Sequence, residues 1–290
     1  MKRKKVFWES VAGCTTSAFA VFYAFNFTSN PANAIELYTM TNPCDLVLID
    51  TDTGTQTTIG NLGISVEAMA FNAAGELYAS VQPGFCGVHG SASHLARIDP
   101  LTANVTVIGS FGFGDVDAMA FRPDGTLFGV SAQTDELFEV DLATGAGTSV
   151  GSVGFPFIGG IEFLSNSLLV GADVTGAGGG FGTFITLDQS TGIGTRVGPI
   201  GFNTIEGLTF GPDGILYGLS DTLGGGAGAI ISIDPTTGTG TFVQTVSSTG
   251  FRDGLASRKL FPQSDIPEPT SILAFGILGG SLLALRRKMK

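Results

Sequence analysis

Short apolar or alternating segments, each bounded by a polar turn, fill residues 35–260 of this chain. AMAF at Ala68–Phe71 and again at Ala118–Phe121, LFGV at Leu127–Val130, ARID at Ala96–Asp99 and TVIG at Thr106–Gly109 are representative. Such segments are too short for helices, and their β-branched and aromatic content predicts strands. The punctuation between them is regular. Asp-x-x-Thr-Gly, as in Asp188–Gly192, and Pro-Asp-Gly, as in Pro123–Gly125 and Pro212–Gly214, are tight turns in which glycine accepts a positive φ.

The pattern repeats five times. The marker aspartates Asp50, Asp99, Asp141, Asp188 and Asp234 are spaced by 49, 42, 47 and 46 residues. A period in the forties with four short segments per unit predicts the blades of a β-propeller, with AMAF, LFGV, ARID and TVIG as strands a to d and a innermost. Ile35–Met40 matches Gly75–Ser80, so the body begins at a strand b, whereas Asp253–Lys259 matches a strand a. The expected fold is therefore all-β, a five-bladed propeller. Its last blade takes strands b–d from the N-terminal end and strand a from the C-terminal end, an interlocked closure that leaves no open sheet edge. A Gly-Phe pair recurs between each d and the next a, at Gly112-Phe113, Gly154-Phe155, Gly201-Phe202 and Gly250-Phe251. These phenylalanines are expected to pack between blades.

Charge changes the picture once the ends are set apart. The chain carries a net −11, but its terminal segments hold eight of the 14 basic residues. Residues 35–266 carry 23 acidic and 6 basic side chains, a net −17. Nucleic acid and anionic lipid both require clustered Lys/Arg, so neither is expected as a partner of the body.

Both ends read as addresses. Lys2-Arg3-Lys4-Lys5, the apolar stretch Val11–Phe27 and Ala32-Asn33-Ala34 have the three parts of a secretory signal peptide over residues 1–34, with cleavage at Ala32-x-Ala34. Val11–Cys14 has the outline of a lipoprotein box, but its apolar stretch follows the cysteine instead of preceding it. At the other end, after a linker at 261–265, Pro267-Glu268-Pro269 precedes an apolar segment at 271–285 and the cluster Arg286-Arg287-Lys288-Met289-Lys290. Residues 266–290 closely resemble the PEP-CTERM sorting tail of bacterial exosortase substrates. The resemblance implies Sec export, a membrane-held precursor, processing by an exosortase-like enzyme, and association with exopolysaccharide or biofilm. The apolar segment is shorter than the about 20 residues of a stable span, and the basic cluster would hold its end on the cytoplasmic side. A plain anchor that is never cut is the other reading.

Ile205–Ser220, IEGLTFGPDGILYGLS, is similar to blade motifs of NHL-like and lactonase-like propellers. Aligned on the start of strand a, the positions are Glu67, Asp117, Gly159, Glu206 and Asp253, a ring with four carboxylates at one mouth of the channel. Like charges in a narrow site are costly, and a hard cation with oxygen ligands relieves that cost. Lactonase-like propellers hold Ca²⁺ at a comparable level, which makes Glu67, Asp117, Glu206 and Asp253 candidate Ca²⁺ ligands. The asparagine partners and the channel histidine of such hydrolases are missing here. The competing expectation is that each carboxylate caps backbone N–H groups of its own or a neighbouring blade.

The remaining chemistry is sparse. The segment Val81–His94 is expected to be a long loop between strands b and c, holding Cys86 and both histidines, His89 and His94. Cys44 lies in the equivalent loop of the closing blade. A Cys44–Cys86 disulfide, a Cys44/Cys86/His89/His94 zinc site and free thiols are all open, and an oxidising compartment favours the first. Asp50-Thr51-Asp52-Thr53-Gly54 begins like a calcium loop but lacks the later acidic ligands and coincides with the turn of every other blade. The glycine runs at 176–182 and 224–228 look like loops, not nucleotide sites. No nucleophile–base pair can be assembled, and there is no G-x-S-x-G. The expected function is thus a non-catalytic exported propeller at the cell surface or in the extracellular matrix, with a polysaccharide or another surface protein as ligand. The alternative is a Ca²⁺-dependent lactonase-type hydrolase working at the central channel.

Overall fold

The structure is a computed structural model, and it describes residues 35–258 apart from 42–43, 85, 87–91, 166, 175–180, 222–226 and 248–251. The signal residues Ala32 and Ala34, the sorting residues Pro267, Glu268 and Pro269, the apolar segment 271–285 and His89 lie outside the described residues. Among the described residues no helix is long and apolar enough to cross a membrane.

Among the described residues, twenty strands form the body. They run in order as β1 (Glu36–Thr41), β2 (Asp45–Asp50) and β3 (Gln56–Asn61), then β4 (Ser65–Phe71), β5 (Leu77–Gln82), β6 (His94–Ile98) and β7 (Val105–Ser110). Next come β8 (Val116–Phe121), β9 (Leu127–Ser131), β10 (Glu136–Val140) and β11 (Gly147–Ser152), then β12 (Ile158–Phe163), β13 (Leu169–Asp173), β14 (Thr183–Leu187) and β15 (Gly194–Pro199). The last are β16 (Ile205–Phe210), β17 (Leu216–Ser220), β18 (Ala227–Ile233), β19 (Gly240–Ser247) and β20 (Arg252–Ser257). They pair into five antiparallel four-stranded sheets, ordered β4–β7, β8–β11, β12–β15, β16–β19 and β20-β1-β2-β3. The inner strands β4, β8, β12, β16 and β20 pack side by side in a closed ring. This is a five-bladed β-propeller. The fifth blade is closed as the repeat count requires, with Leu37 opposite Ser257 and Thr41 opposite Arg252. Because β1 starts where β20 ends, the body is entered at Ile35 and left at Arg258 on one face. The ring at the start of the inner strands lies on the other.

The marker aspartates make the turns between third and fourth strands. Asp50 Oδ1 accepts from the N–H of Asp52 and Thr53 at 2.9 and 3.0 Å, and Asp188 and Asp234 repeat the geometry. Asp50–Gly54 is therefore a turn, with Gly54 at φ 72. One expected boundary moves: Val81 and Gln82 continue β5, and His94 already opens β6. The pairing Val81↔His94 draws both ends of the expected loop into the sheet.

The seams between blades explain the Ile/Val-Gly signature of the outer strands. Each outer strand bulges at its β-branched residue, Ile59, Ile108, Val150, Val197 and Val243, so that the pairing skips it. In four of the five the next residue is a glycine (the fifth has Gln244); Gly109, Gly151 and Gly198 lie against the Thr-Gly turn of the next blade, and Gly60 against Thr102-Ala103. A Cβ on Gly109 would sit 2.1 Å from the Thr144 carbonyl oxygen, and one on Gly198 would sit 2.2 Å from that of Thr237. Crossing phenylalanines fill the same seams: Phe113 stacks on Phe138 of the next blade at 4.3 Å, and Phe155 and Phe202 lie against Gly194 and Gly240. Gly109→Ala keeps an allowed backbone but has no room, so it is expected to cost about 3 kcal/mol by overpacking. An unchanged midpoint in denaturant unfolding would contradict that seam.

Candidate functional site

The four ring carboxylates do not reach the axis by simple alternation along a strand. In β4, Val66 pairs with Val81 and Ala68 with Ser80, so Glu67 is the extra residue of a β-bulge. Asp117, Gly159 and Glu206 occupy the same bulge in β8, β12 and β16. A bulge re-aims its residue and increases local twist. In β20 the irregularity comes later: Met40 pairs with Asp253, and the register then shifts before Tyr38 pairs with Ala256, with Gly254 at φ 65. Asp253 therefore lies beside the bulge instead of in it.

Below the carboxylates, the channel is filled in layers. The next residues are Ala68, Ala118, Gly160, Gly207 and Gly254, small because the strands converge. A Cβ on Gly160 would meet Leu208 N at 2.7 Å, and one on Gly207 would meet Leu255 N at 2.5 Å. The layer after that, Met69, Met119, Ile161, Leu208 and Leu255, is wholly apolar and buried. Among the described residues, the inner strands enclose on the axis a cavity of about 10 Å³, roughly the room of one water-sized sphere. A larger recess of about 530 Å³ lies elsewhere, beside Gly75, Glu76, Arg97, Asp99 and Asn104, and contains no ring residue. Its Arg97–Glu76 pair, at 2.7 Å, is exposed.

Burial dominates the electrostatics of the ring. It pushes the Asp117 carboxyl up to about 9, with Glu67, Asp115, Glu206 and Asp253 adding repulsion. It pushes Glu206 up to about 8, with Asp253 and Asp221 adding to it. Glu67, only 4% exposed, accepts from Gln82 Nε2. Gly159 breaks the ring for a steric reason: a Cβ there would lie 2.2 Å from the Ile205 carbonyl oxygen and 3.2 Å from Glu206 Oε2. The backbone of the next blade and the Val174 side chain, 2.7 Å from that Cβ, have taken the space. Arg252, fully buried at the start of β20, pairs with Asp221 at 2.5 Å. It brings a compensating cation into this acidic end, where burial raises Asp221 and Arg252 opposes the rise.

Not all four candidates form one ligand set. Among the described residues, the group close enough to share a metal ion is Glu67, Asp115 and Asp117, and Glu206 and Asp253 are outside it. Sequence reasoning passed over Asp115, which lies in the turn before β8 with φ 53. An aspartate two residues ahead of a ring position was the only signal for it. Cys44 and Cys86 are brought together as a disulfide with Cα atoms 5.6 Å apart, within the usual span. It links the closing blade to the first. Bonded sulfurs supply no thiolates, so the zinc arrangement has no place in this structure.

No protein-family model matches the chain, and no curated protein matches it. Solved structures do. A chain from a nidogen/laminin complex is similar at 12% identity over 77% of this chain and 99% of its own length, with a TM-score of 0.54. A protein of unknown function from Bacteroides caccae is similar at 15% identity, covering 77% and 99%, with a TM-score of 0.50. Against the Kuenenia stuttgartiensis hydrazine synthase the identity is 20% and the TM-score 0.43; the match takes in 62% of this chain but only 48% of that one. At such identities the likeness is one of fold.

Proposed function

We propose that this chain is an exported, non-catalytic β-propeller of the cell surface or extracellular matrix, which binds a polysaccharide or another surface protein and is processed by an exosortase-like enzyme. The filled axis carries this reading. A lactonase-type reaction inside the channel needs room for a substrate on the axis, and among the described residues Met69, Met119, Ile161, Leu208 and Leu255 close it below the ring, leaving about 10 Å³. Two further features support it. The Cys44–Cys86 crosslink suits an oxidising compartment. Entry at Ile35 and exit past Arg258 on one face would leave the carboxylate mouth pointing away from a tethered tail.

The test addresses the sorting tail. Pro267→Ala with Glu268→Ala is expected to leave an unprocessed, membrane-held precursor, followed by fractionation and mass determination of the C-terminus. Normal release of the double variant would remove the export-and-processing reading while leaving the propeller untouched.

A further inference from the structure

On the side of the ring formed by the first two full blades lies a more compact oxygen cluster. One carboxylate oxygen from each of Glu67, Asp115 and Asp117 falls within 4.8 Å of the others. The three come from two blades: Glu67 from the bulge of β4, Asp117 from the bulge of β8, and Asp115 from the left-handed residue just before β8. A fourth group enters from β5. Gln82 is 2% exposed, and its Nε2 donates to Glu67 Oε1, which holds the amide at the cluster. Its carbonyl oxygen Oε1 is buried there and accepts no hydrogen bond. A buried amide oxygen without a donor is costly, and the groups around it are acceptors too. What would satisfy all four at once is a cation.

We propose that Glu67, Asp115, Asp117 and Gln82 bind a hard divalent cation of the Ca²⁺ class at the seam between the first two full blades. The donor set is oxygen only, with three carboxylates and one amide carbonyl. This suits Ca²⁺, which takes six to eight oxygens and completes its shell with water. Asp115 and Asp117 are only half-buried, so solvent has access for those waters and for entry of the ion. Glu206 and Asp253 are not ligands. The ion would fasten the first blade to the second, as the disulfide fastens the closing blade to the first.

Titration calorimetry with CaCl2 on the purified full chain, stripped with EDTA, tests this directly. One Ca²⁺ per chain is expected, and its addition should raise the thermal midpoint. Asp115→Asn is the informative variant, because asparagine tolerates the left-handed backbone at 115 and removes only charge. It should weaken Ca²⁺ at least about tenfold, since ligand charge tunes such sites. Gln82→Met should also weaken it, whereas Glu206→Gln and Asp253→Asn should change it less than about threefold. Circular dichroism before titration confirms that each variant is folded. Absence of binding to wild type would overturn the site, as would unchanged affinity in Asp115→Asn. Equal losses in Glu206→Gln and Asp115→Asn would place the ion on the axis and overturn it as well.

Discussion

Removing β20, Arg252–Ser257, is expected to abolish cooperative unfolding of the body. This single strand is the inner strand of the closing blade, and it packs between β16 and β4 while pairing with β1. Its loss exposes the edge of β1 and takes Leu255 and Ala256, each 1% exposed, out of two of the apolar cores. It also removes Ser257 N–H from Thr209 Oγ1, the Asp253 carbonyl from Thr39 Oγ1, and Arg252 from the half-buried Asp221. Burying one leucine contributes about 1.5–3 kcal/mol. Stranding a charge costs several more, against a total stability of about 5–15 kcal/mol. A repeat unit buries its face only against its neighbours, so the defect is not confined to one blade. Leu255→Ala, a milder probe of the same contact, should cost about 2–5 kcal/mol. Unfolding of the shortened chain at the wild-type midpoint, followed by circular dichroism, would remove the interlocked closure.

The architecture was legible because it is periodic. The aspartates at 50, 99, 141, 188 and 234 each make the same side-chain-capped turn, and turn chemistry is local enough to read from adjacent residues. Closure was legible too, since a lone strand a at one end and strands b–d at the other admit one completion. What stayed hidden depends on the third dimension. Glu67, Asp117 and Glu206 were placed on one ring, but the bulge that turns them inward is a pairing irregularity with no residue of its own to announce it. Asp115 reads as an ordinary turn aspartate until β4 brings Glu67 beside it. Nothing in the sequence announces why the outer strands carry glycine, whereas in the fold Gly109, Gly151 and Gly198 are required by carbonyl oxygens from the neighbouring blade. The filling of the axis follows from how closely five strands converge, and composition does not disclose it.

In buffer free of divalent cations, stability is expected to fall as pH rises from about 4 toward 9. Glu206 is the cleanest reporter. Its carboxyl has an ordinary value of 4.5 and is pushed up to about 8, first by burial and then by Asp253 and Asp221. Between those values the folded protein keeps a proton that the unfolded chain has released. Stability therefore declines with pH across this window and flattens above it, because the folded state binds more protons. Asp117, pushed up to about 9, extends the decline. The stabilising contribution is fully present below about pH 4 and lost through pH 8–9, the reverse of a salt-bridged carboxylate. Glu206→Gln imitates the protonated acid, so at pH 5 it should match wild type. At pH 9 it should be the more stable protein, by an amount on the order of a few kcal/mol, since each tenfold change in an acidity constant corresponds to about 1.4 kcal/mol. Denaturant unfolding of both proteins from pH 4 to 9.5 with EDTA present is the measurement. Parallel profiles would mean that Glu206 is ionised in the folded protein at neutral pH, and that the ring is better solvated than its burial implies.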